Sequence, residues 1–248
     1  MDSLSRLLKI RGGEVVAVIG AGGKHTFMCR LSQELAAASR PVVLTSTTNL
    51  HRSGDYAALP SLLADEDKNW PSRLHSLLKH EHRVVVAGSQ LAAKMWRGLE
   101  PRQIDDIRSA APEATVLVKC DGARKRMLKA PSKHEPVFPQ KVDLCVLILS
   151  LEAIGKPIDQ QHVHRLERVL ALTSGSAITA RTFIDLIIRP GGYADRLPPE
   201  AVRVLYLSHD RPGQQEAKEA IFAATADLFG LQLAADTIAG RFVKSGLE

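Results

Sequence analysis

A strand-like run, then Gly20-Ala21-Gly22-Gly23-Lys24, then a helix-like stretch, all within EVVAVIGAGGKHTFMCRLSQEL, has the residue types and spacing to hold a phosphate. Successive glycines let backbone N–H groups turn inward around an anion, the helix N-terminus adds partial positive charge, and Lys24 adds a full one. A lysine at a helix start opposes the helix dipole unless an anion offsets it, which strengthens that reading. Two features depart from a standard phosphate loop. Val18 stands where the GxxxxGK pattern has its first glycine, leaving the shorter GxxGK form. His25 follows the lysine, where a hydroxyl ordinarily meets Mg²⁺, and a neutral imidazole suits that hard, oxygen-seeking cation poorly. Thr26 lies about 100° further round the helix and replaces the hydroxyl only if the turn is re-registered. The alternative is a glycine-rich turn that merely packs tightly.

Two further segments join this loop if all three strands end at one sheet edge. Thr45-Ser46-Thr47-Thr48-Asn49 closes a second strand with five small polar side chains. Ligands of open α/β sheets bind outside that carboxyl edge, so Thr45, Thr47 and Thr48 are candidates to touch phosphate; an ordinary capping turn is the alternative. A third strand, ATVLVKC, runs into Asp121-Gly122, the position where nucleotide-binding proteins hold Mg²⁺. Lys119, two residues before Asp121, projects to the same side of a regular strand, where it either neutralises the carboxylate or touches phosphate itself. Residues 122–136 then carry Arg124, Lys125, Arg126, Lys129 and Lys133 against the single acid Glu135, a loop suited to a polyanion, to RNA or simply to solvent. Aromatic residues, which single-strand nucleic-acid grooves use for stacking, are only 4% of the chain, which disfavours RNA.

These segments require strands to place them. The candidate strands are 14–19, 41–45, 83–87, 115–120, 142–149 and 202–207, alternating with stretches of helical period, the pattern of βα units around a mainly parallel sheet. The expected architecture is a single P-loop-like, three-layer α/β domain over 1–248 with a mainly helical segment at about 155–200. Helix faces are read at Met28, Leu31 and Leu35; at Val163, Leu166, Val169 and Leu170; and at Ala217, Ala220, Ile221, Ala224 and Leu228. Gly12-Gly13 is read as ending a first helix and Arg189-Pro190-Gly191-Gly192 as ending a later one.

Composition narrows the class. With 248 residues, 45% hydrophobic and 24% charged, the chain can bury a core without staples. Its longest apolar run, Leu144 to Leu149, is far short of the roughly 20 residues that span a membrane. Three scattered cysteines without a CxxC pair argue against disulfides or zinc and point to a cytoplasmic protein. The amino-terminal leucines are spaced between charges, so no export signal is read there. A net charge of +6 suits anionic partners.

IGAGGKHT, LTSTTNL, VKCDGARKRMLKAPSKHEPVFP, GKPID and HVHRLERV, in that order, resemble the YqeC family of selenium-dependent hydroxylase accessory proteins over roughly residues 13 to 192. The family pattern has GAGGKTT where this chain has His25, a threonine run followed by lysine where it has Asn49, and VEADG where it has Lys119 and Cys120. Lys129-Ala130-Pro131, His134-Glu135-Pro136, His164 and Arg165 follow the pattern. The late strand reads Leu207-Ser208-His209-Asp210, so no guanine-reading signature is carried over. The departures fall at metal positions, whereas Lys24, Thr45 to Thr48, Lys129, His134 and Arg165 remain. The resemblance implies an accessory role in maturation of selenium-dependent molybdenum hydroxylases, binding a nucleotide such as ATP or GTP, or a molybdopterin dinucleotide, with weakened Mg²⁺ chemistry at Asp121. Partners would be that anionic small molecule and a molybdenum hydroxylase or its maturation proteins. An active P-loop NTPase or kinase, with Lys24 and Asp121 catalytic, is the first alternative. An RNA-binding module is the second.

Overall fold

The computed structural model describes residues 3–236 and 241–244. One sheet contains β1 (Val15–Gly20), β2 (Val42–Ser46), β3 (Ser61–Leu63), β4 (Arg83–Ala87), β5 (Thr115–Lys119), β6 (Leu144–Ser150), β7 (Val202–Ser208), β8 (Leu231–Asp236) and β9 (Arg241–Lys244). The order is β9-β8-β7-β6-β1-β5-β2-β4-β3, and every neighbouring pair is parallel except β8 with β9. The three-layer, mainly parallel α/β class expected from the alternation is therefore what forms. β1 and β6 are buried along their whole lengths, as near-continuous apolar strands covered on both faces must be.

Alternate residues of β1 feed two cores. Val16 and Val18 pack with Phe27, Met28, Leu31 and Leu35 of the helix Lys24–Ala37 (α2) and with Leu4 of the short helix Leu4–Leu7 (α1). Val15, Ala17 and Ile19 face the opposite layer, built from Trp70–Leu78 (α3), Pro101–Ala110 (α4), Leu166–Leu172 (α5), Ala180–Ile188 (α6) and Gln215–Thr225 (α7). Burying both faces is what excludes water from the strand ladder and makes the positions of the strand ends rigid.

Four readings of the sequence need correction. The first helix stops at Leu7, because Lys9 turns left-handed (φ 54°) well before Gly12-Gly13. The α7 face is Lys218, Ile221, Phe222 and Thr225; alanine is indifferent to its side, so the larger Phe222 decides the orientation and Ala220 and Ala224 face outward. Leu170 is likewise exposed, and Val163 lies in a two-residue strand. Within 155–200, helix begins only at Leu166, since Gly155 and Pro157 keep the preceding stretch in turns. Strands β3, β8 and β9 are additional to those expected. Among the described residues no helix is long and apolar enough to cross a membrane.

From β1 the chain passes through α2 to β2 on one side, and later returns to place β6 on the other. Connections therefore diverge at the carboxyl end of β1, which opens a crevice there.

Candidate functional site

The glycine loop is fixed by close approach rather than by side chains. Gly20, Gly22 and Gly23 all have positive φ (96°, 75° and 126°). A Cβ on Gly20 would stand 2.1 Å from the Ile148 carbonyl oxygen, and one on Gly22 would stand 2.2 Å from Ser150 Cβ. Both positions thus require glycine twice over. Ser208 Oγ donates to the Gly22 carbonyl, and the Ala21 N–H donates to Ile148 O at 2.9 Å, tying the loop to β7 and β6. Helix α2 starts at Lys24 with no side-chain cap, leaving its first-turn donors uncapped by protein side chains.

Lys24 does meet an anion, but an internal one. Its Nζ lies 2.7 Å from Asp121 Oδ1 and donates to the Gly20 carbonyl. Asp121 Oδ2 accepts from the Gly20 N–H at 3.0 Å and from Lys129 Nζ at 2.9 Å. Lys129, fully buried, also donates to Gly122 O and Glu135 Oε2, each at 2.8 Å, and Arg165 Nη1 reaches the same Glu135 oxygen at 2.7 Å. Three cations and two carboxylates so alternate in a ladder, Lys24-Asp121-Lys129-Glu135-Arg165. Burial alone would raise Glu135, but Arg165 and Lys129 prevail and hold it down at about 2. Burial lowers the Lys24 amine from its ordinary value, against the opposing pull of Asp121. Short strands Leu128–Lys129 and Val163–His164 pair in parallel and bring Arg165 to Glu135.

Above the ladder lies a cleft of about 1330 Å³. Its lining includes seven Lys and Arg side chains (Lys24, Lys94, Lys119, Arg124, Lys125, Arg126, Arg165) against three carboxylates, Asp121, Glu135 and Glu152. Lys119 donates to the Asn49 carbonyl at 2.5 Å, and its amine is pushed down to about 8, by burial first and Lys24 second. His164 falls to about 4 for the same two kinds of reason, burial and then Arg165. Of the six non-glycine residues with positive φ among the described residues, four (Arg124, Lys125, Arg165 and His209) line this cleft. Such strain persists where the surroundings enforce it, and it gathers at binding sites. A second hollow of about 550 Å³ lies at the amino ends of β5 and β6, away from the loop.

The candidate residues divide accordingly. Gly22, Gly23, Lys24, His25, Thr48, Lys119, Asp121 and Arg165 line the cleft. Gly20, Ala21 and Lys129 are buried behind the lining residues. Thr45 is buried and donates to Val86 O, while Thr47 donates to Val137 O and pins the chain beyond Asp121. Thr26 and His134 are exposed outside the cleft. Thr26 therefore does not supply the hydroxyl missing at position 25, because the helix carries it round to solvent. Asp210 pairs with Lys218 at 2.8 Å. His162 anchors to Asp159 at 2.8 Å.

Sequence reasoning did not find Tyr56, Met95, Ser150 or His209 as part of the site. Ser150 Oγ and His209 Nδ1 stand 3.0 Å apart at the ends of β6 and β7. Their only signal was the strand end itself, where a small polar residue follows a buried run.

The sequence profile of the YqeC protein family matches residues 16–167. A protein of Escherichia coli (strain K12) named "Uncharacterized protein YqeC" is 24% identical over 204 residues, covering 78% of this chain and 75% of that protein. No solved structure matches the chain.

Proposed function

That the chain belongs to the YqeC family is the premise from which we propose its role: an accessory protein that holds a phosphorylated small molecule in the maturation of selenium-dependent molybdenum hydroxylases, without a divalent cation. ATP, GTP and a molybdopterin dinucleotide are the ligands of suitable charge and size. The observation that carries this reading is the imbalance of the cleft: outside the ladder, five cations (Lys94, Lys119, Arg124, Lys125 and Arg126) line it against one carboxylate, Glu152. A cleft of that sign draws anions and desolvates them beside fixed donors.

The residues present do not fit Mg²⁺. Asp121 is engaged by two lysines and a backbone N–H, His25 replaces the hydroxyl, and among the described residues no group of three or more His, Cys, Asp or Glu could hold a metal. Lys129 sits where a cation would, with its ammonium saturated by three acceptors. Lys24 is held less completely. It has two partners, Asp121 Oδ1 and the Gly20 carbonyl, against three for Lys129, and unlike Lys129 it faces the cleft. An arriving phosphate can take Lys24 while Lys129 keeps Asp121 neutralised. Binding is then an exchange of one anion for another at Lys24, so its ammonium is never left unpaired.

Calorimetry with ATP, GTP and a molybdopterin dinucleotide, with Mg²⁺ and with EDTA, tests this on the native protein and Lys24→Ala. Binding in EDTA that Lys24→Ala weakens at least tenfold is the expected result. Strict Mg²⁺ dependence, or rapid nucleotide hydrolysis with Mg²⁺, overturns it in favour of an NTPase.

A further inference from the structure

The cleft is chemically divided, and its second half is unexplained by phosphate. Beside the cations lie Met28, Leu50, Tyr56 and Met95 with the imidazoles of His25 and His51. Three of the chain's four methionines line this one cleft. Thioethers are soft and polarisable, and they pack against flat π-systems without dictating one shape.

This half is built, not incidental. His25 packs edge-on to Tyr56 with ring centroids 4.4 Å apart, and Tyr56 reaches Met28 Sδ with its hydroxyl at 3.7 Å. Asp55, next to Tyr56, pairs with Arg83, which also donates to Ser32 at 3.1 Å, so the turn bearing Tyr56 is clamped to α2. On the facing wall, His51 pairs with Met95 and Leu50 with Trp96 in a small antiparallel sheet, stiffened by Arg52 stacked 5.3 Å over Trp96. His25 is the hinge between the halves: it follows the phosphate-facing Lys24 directly, and its ring has become part of the apolar wall.

We infer that this half is a subsite for the planar heterocycle of the phosphorylated ligand, with His25 and Met95 forming its walls and buried Tyr56 backing His25. The inference rests on the phosphate reading above and adds the second half of the ligand. A cleft of about 1330 Å³ has room for both a polyphosphate and a ring system. Partial burial holds the His25 imidazole below its ordinary value, with Asp55 opposing, which favours the uncharged ring. Thr48, Asn49 and Ser53 at the border supply the polar atoms that read a ring edge.

The test compares inorganic tripolyphosphate with ATP, GTP and CTP, all in EDTA, on the native protein, His25→Ala, Met95→Ala and Lys24→Ala. At least one nucleotide should bind tenfold or more tighter than tripolyphosphate. His25→Ala, which removes the ring without adding a hydroxyl to the loop, and Met95→Ala should each shrink that advantage at least threefold while tripolyphosphate affinity stays unchanged. Lys24→Ala should weaken both probes together. If tripolyphosphate binds through Lys24 but no nucleotide gains over it, or the gain survives both wall substitutions, the subsite is refuted and the phosphate site stands. If neither probe binds, both readings fall.

Discussion

Two cationic regions border the same cleft and differ in almost every physical respect. In the ladder, Lys24, Lys129 and Arg165 alternate with Asp121 and Glu135, mostly buried, and each charge has an opposite neighbour. In the turn Ala123–Arg126, closed by the Arg126 N–H on Ala123 O at 2.8 Å, Arg124, Lys125 and Arg126 are exposed and, among the described residues, form no ion pair. Its two central residues are both left-handed (φ 46° and 62°), a geometry that Asn-Gly would adopt without strain. The ladder's charges hold structure; the turn's charges cost structure and are available to a ligand. Total charge thus says less than pairing does.

Asp121→Ala should produce the largest effect, because it leaves Lys24 and Lys129 buried and facing each other. A loss of about 3–5 kcal/mol in chemical denaturation is expected. An unchanged midpoint would break the distinction between the regions. Next comes the acid limb of stability. Glu135 is held at about 2 against an ordinary 4.5, so its contribution is complete above 4.5 and is lost as pH falls toward 2. Glu135→Gln should flatten the stability profile between those values, and an unaltered slope would deny the ladder its lower rung. The turn should respond in the opposite sense. Arg124→Asn with Lys125→Gly should stabilise the fold by about 1–2 kcal/mol, by relieving left-handed strain, and weaken ATP binding by about tenfold. Calorimetry beside denaturation separates the two outcomes, and a variant that is stabilised without losing ATP would remove the turn from the site. The smallest effect concerns Lys119, whose amine is charged below about 8 and neutral above. ATP affinity should fall several-fold as pH rises through 8, and Lys119→Met should abolish that dependence.

The sheet was legible because its inner strands are buried on both faces and read as unbroken apolar runs; Val84–Ala87 and Leu144–Leu149 are examples. β3 was not, being three residues after a proline, nor was β8, where Leu-Gln-Leu-Ala-Ala-Asp carries two alanines of low strand propensity. The glycine loop announced itself because only glycine tolerates its backbone. Its electrostatic state did not. Asp121 lies 97 positions after Lys24, and nothing local distinguishes buried Lys129 from exposed Lys125 in one basic stretch. The apolar subsite draws on α2, the segment near Tyr56 and the Met95 strand, pieces that only the tertiary fold assembles.

The Gly20 N–H gives the ladder a reporter. It is the last amide of β1, and its acceptor is a carboxylate oxygen shared with Lys129 rather than a neighbouring strand's carbonyl. Deuterium uptake at Gly20 therefore follows the opening of the ladder, not the fraying of a sheet edge. While the rungs hold, that single amide exchanges as slowly as the deep core, although it lies just behind the lining of the cleft.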